Sequence, residues 1–166
     1  AMANSLRSRY SPYSTELVDI NDMRTEKIKA NFTKMHGCGN DYIYFDCFQH
    51  DINNPEALSV RLSDRHYGIG GDGVILVCPS DVADGKMRMF NLDGSEGKMC
   101  GNGIRCVGKF LYDHGLVDPA KEKITVETLS GIKTLWPIYN DRKVCAMKVD
   151  MGKAELTPAL IPVDAS

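Results

Sequence analysis

The chain has 166 residues, 43% hydrophobic and 25% charged, which suits one globular domain and excludes wholesale disorder, collagen-like repeats and disulfide-dense miniproteins. Twenty basic against 22 acidic side chains leave a net charge of −2. That removes any general attraction for a nucleic-acid backbone or an anionic bilayer, and no apolar run approaches a membrane span.

Residues 1–30 read as a poorly packed leader. The first fifteen residues carry two arginines, four serines and no acid, and Glu16, Asp19 and Asp22 follow. A tag remnant, a native extension and a transit peptide all stay open, with Met23 as an internal natural start. From residue 31 short β-branched or aromatic runs bounded by Gly, Asp or Asn predict strands at 32–35, 42–45, 74–78, 86–90, 124–128, 132–136 and 144–149. Two segments carry helical spacing instead. The first covers 55–66, with Asn54 as N-cap and Pro55 at the first helical position. The second covers 102–114, where Ile104, Val107, Phe110 and Leu111 form one apolar stripe and Gly115 marks the stop, so this helix packs into the sheet. Residues 31–152 make one domain; 153–166, with Pro158 and Pro162 around an extended stretch, read as the start of a connection.

Three glycine-rich clusters stand out: Gly37-Cys38-Gly39-Asn40, Gly68-Ile69-Gly70-Gly71-Asp72-Gly73, and Asn91-Leu92-Asp93-Gly94-Ser95 running into Cys100-Gly101-Asn102-Gly103. None has a phosphate-loop signature, and the second follows a helix and precedes a strand, the reverse of a dinucleotide fingerprint. Cys100 differs from the other five cysteines because a helix start follows it. Unpaired N–H groups and the positive end of the helix dipole favour a thiolate there, a usable base or nucleophile. A buried turn thiol is the competing reading of Cys100. Bare backbone at Gly101 and Gly103 leaves room for a small ligand and can donate to its carboxylate. Cys106 lies inside the helix and reads as packing, Cys47, Cys78 and Cys145 as core or sheet surface, and Cys38 as a small turn residue. With no CxxC pair and no evenly spaced framework, the cysteines fit a reducing cytoplasm and argue against a structural metal site. Asn40, Asn91 and Asn102 are amides able to meet carboxylates or ammonium groups, though turn formation explains each singly. His36 and His66 read as structural, Asp72 and Asp93 as turn formers.

Taken in order, Phe32-Thr33-Lys34-Met35-His36-Gly37-Cys38-Gly39-Asn40-Asp41, Gly68 to Gly73, Phe90-Asn91-Leu92-Asp93-Gly94-Ser95 and Met99-Cys100-Gly101-Asn102-Gly103-Ile104-Arg105-Cys106 resemble the successive N-terminal motifs of diaminopimelate epimerase, over residues 31–163. The resemblance implies an α+β fold, one half of the epimerase fold, with a curved mixed sheet wrapped around a central helix. It implies an isomerase of lysine biosynthesis that interconverts LL- and meso-diaminopimelate without pyridoxal phosphate, metal or other cofactor. It makes Cys100 the first of two catalytic cysteines and makes Asn40, Asn91, Gly101 and Asn102 substrate-binding. Some members carry a glutamine where this chain has Gly73, so Gly73 takes no binding role. No second glycine-flanked cysteine before a helix follows Cys106, and the chain therefore reads as an N-terminal half, inactive alone, whose partner is the missing C-terminal half. Its exposed strand edges invite self-association, including a homodimer. Two other readings stay open: a racemase of the proline racemase or phenazine-biosynthesis type, and a non-catalytic binding half-module. A thiol redox protein is disfavoured, because Cys100 has no CxxC mate.

Overall fold

The computed structural model describes residues 30–157 and 160–161. The leader at 1–29 and most of the connection beyond 157 lie outside the described residues. The elements run β1 (Phe32–Gly37), β2 (Asn40–Asp46), α1 (Pro55–Ser63), β3 (Gly73–Cys78), β4 (Gly85–Asn91), β5 (Glu96–Gly97), α2 (Gly101–Asp113), β6 (Ile124–Glu127), β7 (Lys133–Asn140) and β8 (Lys143–Val149). They form one mixed sheet in the order β1-β2-β3-β4-β6-β7-β8, with the short β5 beside β4. β2 meets β3 in parallel through the α1 crossover, and β4 meets β6 in parallel through the α2 crossover. The remaining neighbours are antiparallel.

Period-two alternation along β2 and β3 divides the interior into two layers. Tyr42, Tyr44, Ile75 and Val77 face α2, whose Ile104, Val107, Phe110 and Leu111 stripe is buried against them as its spacing predicts. Ile43, Phe45, Val74 and Leu76 face the opposite way and are covered by Leu58 and Leu62 of α1. Each large side chain fully buried in this way contributes about 1.5–3 kcal/mol. α2 comes unusually close to the sheet because two of its positions lack side chains. A Cβ at Gly103 would stand 2.7 Å from Ile75 Cδ1, and one at Gly108 would stand 2.6 Å from Met147 Cε.

Three details depart from the sequence reading. α1 stops at Ser63 rather than at residue 66. Asp64 leaves helical geometry there and accepts from the His66 and Tyr67 N–H groups, while Gly70 and Gly71 N–H reach back to the Leu62 and Ser63 carbonyls. β7 continues four residues past 136, through Pro137. Its pairing with β6 ends at Leu135, so on that side no ladder bond is asked of the missing proline N–H. β5, at two residues, is too short to show any alternation. Among the described residues, no helix is long and apolar enough to cross a membrane.

Candidate active site

The site is built where the β1–β2 hairpin meets the first turn of α2. The hairpin turns on Cys38 and Gly39, both left-handed with φ of 56° and 87°, a two-residue connection that matches the twist of its strands. It delivers Asn40 as the first residue of β2. Gly37 is packed so tightly against α2 that a Cβ would sit 3.0 Å from the Asn102 carbonyl oxygen. Arg105 ties the two pieces further, donating to Asn102 Oδ1 at 2.6 Å and to Cys38 Sγ at 3.8 Å.

Cys100 is the N-cap of α2, in extended conformation. Its carbonyl accepts from Ile104 N–H at 2.8 Å, and its sulfur accepts from Gly103 N–H at 3.3 Å. The sulfur thus replaces the side-chain oxygen of an ordinary cap. The thiol in turn donates to Asn40 Oδ1 at 3.3 Å. A helix start leaves the Gly101 and Asn102 N–H groups without intrahelical acceptors, so their dipoles converge beside the same sulfur. Cys100 is half-buried at this junction rather than sealed in the core.

Asn40 is fixed from its other end. Its Nδ2 donates to Asp72 Oδ2 at 2.7 Å, and Asp72 also accepts from Asp41 N–H at 3.0 Å and from Arg65 at 2.9 Å. Asp72 does more than form a turn: it orients the amide that meets the sulfur. Asp41 pairs with Lys34 and Arg65, each at 2.7 Å. Burial works against its charge, but the hydrogen bonds from Arg65 and Lys34 outweigh it and hold the carboxyl down at about 2. Lys34 also donates to the Gly70 carbonyl, which joins the second glycine cluster to the network.

Tyr42 is a member of the site that sequence reasoning missed. It follows Asn40 by two residues on β2 and therefore faces α2, where its phenol lies within electrostatic reach of both Asn40 and Cys100. Burial, then the neighbouring Cys100 sulfur, push the phenol up to about 12, so it keeps its proton. The only signal in the sequence was the alternation itself, which gives a face but not a partner. Gly73 supports this corner: with φ of 154°, its Cβ would fall 2.1 Å from the Phe90 carbonyl oxygen and 2.9 Å from the Tyr42 ring. A larger residue there would displace the tyrosine or the strand.

Asn91, the last residue of β4, stands opposite Gly73 in register. Its Nδ2 donates to Ser95 Oγ at 3.0 Å, and its carbonyl accepts from Ser59 Oγ at 2.8 Å and from Gly94 N–H at 2.9 Å. Asn40, Cys100, Gly101 and Asn102 are thus gathered around one sulfur, whereas Asn91 reaches the neighbouring strand end through backbone pairing. Asp93 forms a turn as read, accepting from Ser95 N–H at 2.9 Å. His36 and His66 are exposed. Cys106 is buried within α2, Cys145 of β8 donates to the Ile138 carbonyl of β7, and Cys38 stays in the exposed hairpin turn. Among the described residues, no group of three or more His, Cys, Asp or Glu side chains is placed to hold a metal ion.

Comparison with known proteins converges on the same pieces. The family model described as diaminopimelate epimerase matches residues 32–157. A diaminopimelate epimerase of Methanococcus maripaludis is 59% identical over 132 residues, covering 80% of this chain and 47% of the relative. One from Desulfovibrio desulfuricans is 54% identical over 136 residues, covering 82% of this chain and 47% of the relative. The chain thus spans about half the length of the relatives it matches. Among solved structures, a Bacillus anthracis phenazine biosynthesis protein superposes with a TM-score of 0.55 at 22% identity, over 72% of this chain and 39% of that one. A hydroxyproline epimerase of Agrobacterium vitis superposes with a TM-score of 0.53 at 15% identity, over 71% and 40%. At those identities the likeness establishes the fold: a curved mixed sheet around a central helix, one half of the diaminopimelate epimerase-like architecture.

Proposed function

Because this chain belongs to the diaminopimelate epimerase family, we propose that it forms the half of an amino-acid epimerase that carries the first of two acid–base cysteines, acting on the α-carbon of diaminopimelate. In this reading Cys100, as thiolate, removes the α-proton from one face. The electron pair left on carbon delocalises into the α-carboxylate, and the Gly101 and Asn102 N–H dipoles stabilise the charge that builds there. Asn40, held by Asp72, keeps the sulfur aimed, and Asn91 contributes an amide to the substrate from the end of β4. Inversion requires a second group that returns a proton to the opposite face, since one cysteine cannot occupy both sides. Cys47 and Cys78 lie in the α1 layer of the sheet and Cys106 inside α2, so we assign that group to the length of relative that this chain does not span.

The observation that carries the reading is the Cys100 sulfur itself. It caps a helix start, accepts from Gly103 N–H and faces an amide oxygen anchored by a buttressed carboxylate. The test joins this chain to the C-terminal portion of the Methanococcus maripaludis relative and follows interconversion of LL- and meso-diaminopimelate, with proline as a control substrate. The chain alone should give no turnover, and the chimera should act on diaminopimelate. Robust turnover by the chain alone, or a folded chimera acting on proline instead, would overturn the assignment.

A further inference from the structure

Two cysteines that the proposed reaction does not use stand side by side on adjacent strands. The parallel register pairs Phe45 with Leu76 and Asp46 with Val77, and one further step brings Cys47 opposite Cys78. Cys47 N–H donates to the Val77 carbonyl at 2.9 Å at that step. Alternation points both sulfurs the same way, because Phe45, Cys47, Leu76 and Cys78 all belong to the apolar layer under α1. The two thiols are close enough to perturb each other's ionisation. Neighbouring strands lie about 4.8 Å apart, inside the roughly 4.4–6.8 Å Cα separation that a disulfide spans. The pair also sits at the end of its ladder: Cys78 closes β3 and Cys47 lies one residue beyond β2, so the backbone can adjust without breaking internal pairs.

The two sulfurs are not equivalent. Cys47 is 4% exposed, and the neighbouring Cys78 thiol together with burial pushes its own thiol up. Cys78 is half-buried. The neighbouring Cys47 lowers its thiol against the effect of burial, helped by Arg88 and Lys86 and opposed by Asp51. Lys86 stands opposite Cys78 on β4, on the flank away from Cys47. Its charge is shared with Glu127 at 2.9 Å, and that of Arg88 with Glu96 at 2.8 Å. One cysteine is therefore reachable and flanked by cations, and the other is sealed on the adjacent strand beside it.

We propose that Cys47 and Cys78 form a dithiol site that hydrogen peroxide converts into an intramolecular disulfide, with Cys78 attacking and Cys47 resolving. The Cys78 thiolate attacks one peroxide oxygen, the O–O bond breaks, and hydroxide leaves with the electron pair, giving a sulfenic acid. The Cys47 sulfur then attacks the Cys78 sulfur, its proton goes to the departing hydroxide, and water leaves as the S–S bond forms. Overall the protein loses two hydrogens and peroxide is reduced to two waters. The site faces the α1 layer, on the other side of the sheet from Cys100, and stands independently of the epimerase reading.

The test treats the 166-residue chain with hydrogen peroxide, blocks remaining thiols, and digests it without reductant for mass spectrometry. The expected product is a Cys47–Cys78 linked peptide lighter by two hydrogens, lost on adding dithiothreitol. Cys78→Ser should abolish the link, and Cys47→Ser should leave a sulfenic acid at Cys78 that dimedone labels. The decisive reading needs no substitution, so a variant that fails to fold does not affect it. Recovering both cysteines as free thiols while exposed Cys38 is already oxidised would overturn the proposal. So would a bridge from either cysteine to a different partner.

Discussion

Tyr42 shows what a single residue contributes at the proposed reacting centre. A buried phenol that keeps its proton up to about 12 stands beside the Cys100 sulfur, which also accepts from Gly103 N–H. A hydrogen bond donated by that phenol to the thiolate would be worth about 1.5–3 kcal/mol, so removing the donor should cost about tenfold or more in reactivity of the thiolate. Tyr42→Phe should therefore slow alkylation of Cys100 by iodoacetamide at neutral pH by about that factor, measured by peptide mass spectrometry with Cys38 as internal reference. An unchanged Cys100 rate would remove the phenol from the site. At this scale the sequence was partly readable. Glycines around Cys100 marked a helix start beside its sulfur, but nothing local tells that Asp72, thirty-two residues from Asn40, is what fixes the Asn40 amide. Single-residue roles of that kind depend on strand neighbours distant in sequence.

Between elements, the Lys34, Asp41, Arg65 and Asp72 network joins β1, β2 and the segment after α1. The folded Asp41 carboxyl, at about 2, lies below the roughly 3.9 of an unfolded aspartate. Its charge therefore stabilises the folded chain above about pH 4, and that contribution is lost as pH falls towards 2. Asp41→Asn should be less stable than the parent at pH 6, with the difference shrinking between pH 4 and 2 in urea titrations. A gap that stays constant across that range would show that Asp41 acts through shape rather than charge. The elements themselves were largely legible, since alternation and the Ile104 to Leu111 stripe identify strands and the central helix directly. The end of α1 was not, because it is set by carbonyls that Gly70 and Gly71 reach back to satisfy, a tertiary event rather than a periodic one.

For the whole molecule, strand order was the least legible feature: β4 beside β6 and β2 beside β3 both follow from crossovers whose partners no local pattern names. Yet that order brings a hairpin tip, a strand end and a helix start to one place. Four of the five residues singled out from the sequence meet there, while Asn91 stands at the end of β4, with β3 between it and β2. Cys100, at the N-terminus of α2, is half-buried. The most direct measurement is α-hydrogen exchange in deuterium oxide by the chimera, comparing the parent with Cys100→Ala after circular dichroism shows both folded. Loss of the acid–base sulfur should lower interconversion and exchange from at least one stereoisomer by about 10²–10⁴-fold. A folded Cys100→Ala chimera within tenfold of the parent on both stereoisomers would contradict a role for this cysteine in proton transfer.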